Sequence, residues 1–585
     1  MKYFSCDFET TTDADDCRVW AFACCEIGNS DNFLYGNSLD EFMKWCANAK
    51  ENVTCYFHNL KFDGSFIVDW LLHHEFEHVL DKKDRHDKSF TSLITDMGQW
   101  YKLEIWFKIK GHKVNKVIIQ DSLKILNFSV DFIASKKGFN LPQQKLKIDY
   151  KAKREVGHEL TPEEVAYIHN DVWIMAEALD IMFKQNLKKM TIASDALHNF
   201  KDTCPNFKKY FPALPFELDD DMRPAYKGGF TFVNPVYQDK EVGHGIVLDV
   251  NSLYPSRLYN EFLPVGLAEP FRGKYKKNST FPLYMQRLDC IFELKPNKIP
   301  SLQIKHHLSF RENEYLTSSK GQIVTLMLTN PDLELLFQQY DVEVVSWNGG
   351  YMFKQQQGLF KNYIDYWMQT KIQAKKDGNQ ALYLIAKVMQ NATYGKFGAS
   401  LRGRQKIPTL INGETKYIMG KEEKKEGVYL PVAAFVTSYA RRYTISSIEK
   451  VREWGFKNKG YDVFAYADTD SQHLLLDESD LKSLCDIIDI DDYRLGAWKH
   501  ESSFTKAKFI RQKCYIEQDA EDGQVHVTIA GFPKKLGHLV NFDNFKIGFT
   551  TEGMTDEQIG PAGRKLRYKR VKGGVLLVDT DFTLK

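Results

Sequence analysis

Residues 463–476 read Val-Phe-Ala-Tyr-Ala-Asp468-Thr-Asp470-Ser-Gln-His-Leu-Leu-Leu. Two apolar, β-prone runs flank a short acidic turn, which is the pattern of a hairpin with carboxylates at its tip. Side chains alternate along a strand, so Asp468 and Asp470 can point the same way. Charges that close repel each other. Such a turn is either solvated or steadied by a divalent cation. A second apolar strand, Gly245-Ile-Val-Leu-Asp249-Val250, also ends in a carboxylate and runs into a helix start at Ser252. A capping Asp and a metal-binding Asp both suit that place.

The chain has 585 residues, a size on the order of four domains or fewer large ones. Its apolar and charged fractions are those of an ordinary globular protein. Net charge is +2, so any nucleic-acid surface is a local patch. The ten cysteines include no CxxC pair, which favours reduced thiols over a disulfide frame or a zinc site. The N-terminus turns acidic at Asp7, too early for a secretory signal. No run of about 18 apolar residues suggests a membrane span.

The first strand-like segment, Lys2 to Thr10, carries Asp7 and Glu9 on one face and Phe8 on the other. Next, Cys55-Tyr-Phe-His58-Asn59-Leu-Lys-Phe62-Asp63-Gly64 runs from a strand into a turn, with a helix after it. Asp63 reads equally as a helix-entry cap or a functional acid. Thr161-Pro162-Glu163-Glu164 supplies an N-cap, a proline at the first helical position and a capping-box Glu. The helix that follows sets Tyr167 and Asp171 four residues apart, hence on one face. Taken singly, such a pair is usually surface packing. Four carboxylates with no His or Cys among them suit a hard cation such as Mg²⁺ or Mn²⁺. Two ions about 4 Å apart could activate water against a phosphodiester.

Further on, Tyr226-Lys-Gly228-Gly229-Phe230 is a Gly-Gly turn between aromatics, and a purely structural turn suits it as well. Residues 379–397 read as a helix with Gly395 as its stop, and Lys387, Asn391 and Tyr394 form one polar stripe. The stripe fits plain surface, or a helix that holds a triphosphate through Lys387 and stacks Tyr394 on a base pair. Asn412-Gly413 reads as a type I′ hairpin turn. The segment Arg564–Lys572 is strongly basic, which suits a solvated face or duplex phosphates.

Together these motifs resemble known families. Asp7 and Glu9, then Asp63, then Tyr167 with Asp171, resemble the DEDD-type 3′–5′ proofreading exonucleases of the tyrosine subtype. Asp249-Val-Asn-Ser252-Leu-Tyr254-Pro-Ser resembles motif A of family B DNA polymerases, Lys387-x-x-x-Asn391-x-x-Tyr394-Gly resembles motif B, and Tyr466-x-Asp468-Thr-Asp470-Ser resembles motif C. The motif spacing and two inserts are similar to the protein-primed members found in small tailed phages with protein-capped linear genomes, and the resemblance covers essentially the whole chain.

The resemblance implies an α/β and α+β multidomain fold: an RNase H-like exonuclease domain and a right-hand polymerase with two inserts. It divides the chain into an exonuclease domain (1–190), palm (191–261 and 428–533), a priming-protein docking insert (262–362), fingers (363–398), a processivity and strand-displacement insert (399–427) and thumb (534–585). It implies two Mg²⁺ per site, with Mn²⁺ able to substitute. The polymerase ions would sit on Asp249, Asp470, Asp468 and the Val250 carbonyl, and the exonuclease ions on Asp7, Glu9, Asp63 and Asp171, supported by Lys145. Tyr254, Lys371, Lys387, Asn391 and Tyr394 would hold the nucleotide. DNA would touch Thr10, His58, Asn59, Phe62, Phe66, Ser122, Leu123, Phe128 and Tyr150 along the exonuclease groove. On the polymerase side it would touch Tyr226, Gly228, Gly229, Ser252, Lys513, Tyr515 and Lys535.

Implied partners are template and primer DNA, dNTPs and a terminal protein, the polymerase being a monomer or its heterodimer with that protein, free of membrane, in the cytoplasm of an infected host cell. A DNA-primed family B enzyme is the alternative. The chain departs from the family pattern at Ala392 (usually Ser), at Ala467 (often Cys), at Tyr383 (where Lys is expected) and in a longer Lys371–Lys387 gap.

Overall fold

The computed structural model describes residues 1–110, 113–150, 152–303, 315–425, 427, 429–561 and 563–585. Its first layer is an eight-stranded mixed sheet. At its centre the strand Lys2–Thr10 runs antiparallel to Val19–Glu26 and parallel to Val53–Phe57. Alternation along Lys2–Thr10 sends Phe4, Cys6 and Phe8 into the core, so Asp7 and Glu9 emerge on the opposite face. The helix Pro162–Lys184 starts as its sequence demands: Thr161 accepts from Glu164 N, and the Glu164 carboxylate accepts from Thr161 N.

A second sheet holds, in spatial order, Val525–Ile529, Cys514–Asp519, Trp498–Arg511, Gly245–Val250, Ser471–Leu474, Phe464–Asp468 and Thr231–Val233. The acidic hairpin is present, between Phe464–Asp468 and Ser471–Leu474. The 29-residue helix Leu430–Asn458 packs along this sheet, and close approach requires Gly455: a Cβ there would lie 2.6 Å from Val463 Cγ1. Phe464, Ile448 and Trp498 are fully buried in that interface.

In the chain between the strand Gly245–Val250 and the helix pair 361–397 comes a four-stranded sheet of Leu263–Phe271, Tyr340–Gln356, Leu283–Leu294 and Val324–Thr329, with the helix Asn330–Gln339 beside it. The helices Lys361–Lys376 and Gln380–Phe397 form a pair. The second of them corrects a reading of the sequence. Gly395 does not stop it; the helix runs on to Phe397, whose buried ring anchors the last turn. The hairpin Lys406–Ile411/Glu414–Met419 turns on Asn412 (φ 54°) and Gly413 (φ 75°), the left-handed pair a type I′ turn needs. The chain ends in the basic hairpin Lys565–Val571/Gly574–Thr580. Among the described residues no helix is long and apolar enough to cross a membrane.

Candidate active sites

Two separate acidic centres emerge. In the second sheet Asp249 pairs across strands with Ser471 on one side and Lys499 on the other. Val250 N donates to Asp470 O at 2.7 Å, which fixes the acidic turn against the end of the Asp249 strand. Thr469 at the turn's apex is left-handed (φ 64°), and its N donates to Phe230 O at 2.6 Å. Gly229 makes room for that apex: a Cβ there would lie 2.7 Å from both Thr469 Cγ2 and the Tyr254 hydroxyl. A Cβ on Gly228 would meet only Gln303 Oε1, at 3.9 Å, and Tyr226 packs against Gly398. Arg441 donates to the carbonyls of Lys227 and Gly228 at 3.0 and 2.6 Å, fixing the Gly-Gly turn to the long helix.

The two aspartates of the turn are treated differently. Lys513 Nζ donates to both oxygens of Asp468 at 2.8 and 3.0 Å. Asp470 instead faces Asp249. Burial, then Asp470 and Glu501, push the Asp249 carboxyl up to about 7. Burial also raises Asp470. Two carboxylates each disfavoured as anions form a receptive place for a cation. Tyr515, expected at DNA, has its ring 5.0 Å from Tyr466, so much of it is spent on packing.

A cavity of about 840 Å³ opens from this centre toward the helix pair. Asp249, Asp470 and Glu501 line one end, and Lys371, Lys375, Lys376, Lys387 and Lys499 line the rest. Asn391 and Ser252 also reach it. Ser252 is left-handed (φ 56°), and its carbonyl accepts from Ser256 N to open the helix Leu253–Asn260. Tyr394 is stacked on Tyr254, ring centres 4.2 Å apart. Glu501 and Lys499 were not singled out in the sequence. The signal was the alternation of Lys499 and Glu501 on one strand; their nearness to Asp249 depended on a strand register no local pattern encodes.

The other centre lies on the first sheet. Oxygens of Asp7, Glu9 and Asp171 lie within 4.8 Å of one another. Asp63 opens the helix Asp63–His73 and is buried. Oδ1 of Asp63 and Oδ1 of Asp171 are buried with no hydrogen-bond partner, an arrangement that an all-oxygen cation site would satisfy. Burial and Asp171 push Asp7 up to about 7, and burial and Asp7 push Asp63 well above the usual carboxylate range. Lys145 Nζ sits 3.3 Å from Asp171 Oδ2. Burial opposes its charge, but Asp171 and Asp7 outweigh that. The hydroxyls of Tyr150 and Tyr167 lie 2.8 Å apart beside these acids.

Thr10, Asn59, Phe62, Leu123 and Phe128 are part-exposed around this centre, but not every expected groove residue is. Phe66 is buried, its ring against the C-terminal hairpin: a Cβ on Gly574 would lie 2.3 Å from Phe66 Cε1. Ser122 is also buried, its Oγ 3.1 Å from Phe57 O. His58 uses both ring nitrogens internally, at 3.1 Å to Ser122 Oγ and 2.7 Å to Phe128 O. Burial lowers its pKa to about 4, so it is neutral. These three side chains shape the groove from beneath. Tyr568, which the sequence reading passed over, stands at its mouth. Its hydroxyl accepts from Asn59 Nδ2 at 2.7 Å, its ring centre is 6.5 Å from that of Phe62, and Lys61 Nζ lies 4.7 Å over it. An aromatic interleaved with Lys and Arg in the basic tail was the available signal. Lys535 is exposed on the short helix Lys534–Leu539.

Residues 46–482, which include Asp249, Asp468, Asp470 and the helix lysines of the cavity, match the family "DNA polymerase type B, organellar and viral", to which this chain belongs. It is a DNA-directed DNA polymerase. Among its relatives are the DNA polymerases of Bacillus phage B103 (44% identical) and Bacillus phage phi29 (42%), each covering 100% of this chain, over 100% and 99% of their own lengths. That of Streptococcus phage Cp-1 is 32% identical over 100% of this chain and 98% of its own. The structure of phi29 DNA polymerase complexed with primer-template DNA and incoming nucleotide substrates matches with a TM-score of 0.88 and 41% identity over 100% of both chains. Polymerases of this family use divalent metal ions.

Proposed function

We propose that this polymerase begins synthesis on a hydroxyl of a terminal protein, extends processively with strand displacement, and proofreads at the Asp7–Glu9–Asp63–Asp171 centre. The cavity between Asp249 with Asp470 and the lysines of the helix pair carries the synthetic half of this reading. Asp249, Asp470 and the Val250 carbonyl would hold two Mg²⁺, with Mn²⁺ able to substitute and Asp468 tuning the site from alongside. When bound, such ions lower the pKa of the attacking hydroxyl and offset charge on the departing pyrophosphate. Lys371 and Lys387 hold the triphosphate from the helix side. Asn391 supports that helix face, donating to Lys387 O at 3.0 Å. Tyr254 supports the incoming sugar and excludes a 2′-hydroxyl. Tyr394 leaves its stack on Tyr254 to cover the nascent pair.

DNA is the template, as in the complexes of phi29 DNA polymerase with primer-template DNA. Lys513, Tyr515 and Lys535 steady the primer duplex, and Tyr226, Gly228 and Gly229 the template. In the N-terminal centre Asp7, Glu9, Asp63 and Asp171 hold the ions, Tyr167 orients water and Lys145 holds Asp171 in place. Thr10, Asn59, Phe62, Leu123 and Tyr150 guide the frayed strand, and Phe128 backs them. The segment boundaries follow the implied division: exonuclease 1–190, palm 191–261 and 428–533, docking insert 262–362, fingers 363–398, processivity insert 399–427 and thumb 534–585. Thr415 Oγ1 donates to Asp69 at 2.7 Å, and Arg570 lies 3.8 Å over the Tyr417 ring. These contacts tie the 406–419 hairpin to the helix Asp63–His73 and to the C-terminal hairpin, which supports a shared role of the three in holding DNA. The setting is the cytoplasm of an infected host cell.

Labelling tests the priming claim. The polymerase, one labelled dNTP, Mg²⁺ or Mn²⁺ and the candidate terminal protein should yield covalently labelled protein. Active primer extension without that label would leave a DNA-primed enzyme instead.

A further inference from the structure

Lys499 is the direct cross-strand partner of Asp249. Paired residues on antiparallel strands project to the same face. Its Nζ lies 3.8 Å from Asp249 Oδ1 and 4.0 Å from Glu501 Oε1, too long for a settled hydrogen bond to either. The side chain retains 32% of its exposure and faces the cavity that Lys371 and Lys387 line from the opposite wall. It is absent from the second cavity at this centre, which lies on the Asp468 and Lys513 side. The sheet therefore presents one ammonium toward the helix pair, at the level of the reacting carboxylates.

We infer that Lys499 is a phosphate ligand of the incoming nucleotide and of the departing pyrophosphate, a lysine supplied by the sheet against those of the helices. This rests on the proposed polymerase centre at Asp249 and Asp470. Without divalent cations Lys499 serves as counter-charge to Asp249. With a divalent ion held by Asp249, Lys499 would be freed from that carboxylate, because a lysine and a divalent ion at one carboxylate repel each other. The flexible stem then carries the ammonium into the cavity. The helix lysines Lys371 and Lys387 line the same cavity, so a triphosphate entering it would meet ammonium groups from both walls. The same contact serves pyrophosphate in the reverse reaction, so one residue enters the affinity for both.

The test is steady-state primer extension and pyrophosphorolysis by Lys499→Met and Lys499→Arg at saturating Mg²⁺, with excision of a single strand as the check on folding. Lys499→Met should raise KM for dNTP and for pyrophosphate about tenfold each, the loss of one charge-assisted hydrogen bond. Lys499→Arg should restore most of both. If instead both KM values stay unchanged in Lys499→Met and only the Mg²⁺ concentration for half-maximal rate falls, Lys499 is a counter-charge alone and the inference is overturned. If Lys499→Met does not fold, unchanged KM values in Lys499→Gln overturn it equally. Loss of the polymerase reading itself would show separately, as synthesis surviving in Asp249→Ala.

Discussion

Lys513 clasps both oxygens of Asp468, at 2.8 and 3.0 Å, and leaves Asp470, two residues on, facing Asp249. The turn thus has one aspartate bound to protein and one turned to the reacting side.

That division has a kinetic consequence. Lys513→Ala should unclasp Asp468 and weaken the hold on the primer terminus while leaving Asp249 and Asp470 in place. Extension should fall roughly tenfold, through weaker primer–template binding, with KM for dNTP little changed. A titration of primer–template in extension assays separates the two parameters. A selective rise in KM for dNTP would count against the assignment.

Tyr254 and Tyr394 stack at 4.2 Å, and Tyr254 OH sits where a Cβ on Gly229 would collide. Gly229 closes the space behind the hydroxyl, so the ring cannot retreat from a bulkier sugar even once Tyr394 has moved. Tyr254→Val should therefore relax discrimination against ribonucleotides by roughly a hundredfold. Single-nucleotide insertion with matched dNTP and rNTP measures that ratio, and an unchanged ratio would place the discriminating contact elsewhere.

Both centres contain carboxyls that titrate near neutrality without metal: Asp249 and Asp7 are each pushed up to about 7, mainly by burial. A folded pKa above the unfolded one means that the native state binds more protons between about pH 4 and 7. These groups make metal-free stability fall as pH rises through that window. Metal needs the deprotonated acids, so its stabilising effect grows over the same window. Melting temperatures with and without Mg²⁺ should diverge from pH 5 to pH 8. A constant difference would contradict metal binding at these acids.

Arg452 and Asp462 form a buried ion pair, with Arg452 Nε at 3.1 and 3.0 Å from the two carboxylate oxygens and Asn234 Nδ2 on the same acid at 3.0 Å. The pair ties the end of the long helix to the start of the strand that carries Asp468. Arg452→Ala leaves Asp462 buried and uncompensated and should cost about 3–5 kcal/mol. Denaturant unfolding reads this directly, and a cost under about 1 kcal/mol would mean that water reaches Asp462 freely.

Where position was written in local pattern, the sequence was enough. The alternation that places Asp7 and Glu9 opposite Phe8 depends on one strand, and the capping box at Thr161 on one turn, so both were legible and both are present. Gly395 was misread because a glycine inside a helix costs only about 1 kcal/mol, and burial of Phe397 outweighs that. Phe66 was placed in the strand groove because an aromatic near Phe62 suits either role. Only the C-terminal hairpin, far away in sequence, decides that Phe66 is core. Tyr568 and Lys499 were missed for the same reason: each owes its position to a neighbour supplied by a distant segment.

The central claim is that one chain holds two separable metal-dependent centres, synthesis at Asp249 with Asp470 and 3′ excision at Asp7 with Glu9. Primer extension and single-strand excision, measured side by side on Asp249→Ala and on the double variant Asp7→Ala/Glu9→Ala, test it most directly. Asp249→Ala should lose synthesis by roughly a thousandfold or more and keep excision, and the double variant should do the reverse. Loss of both activities in either folded variant would contradict it.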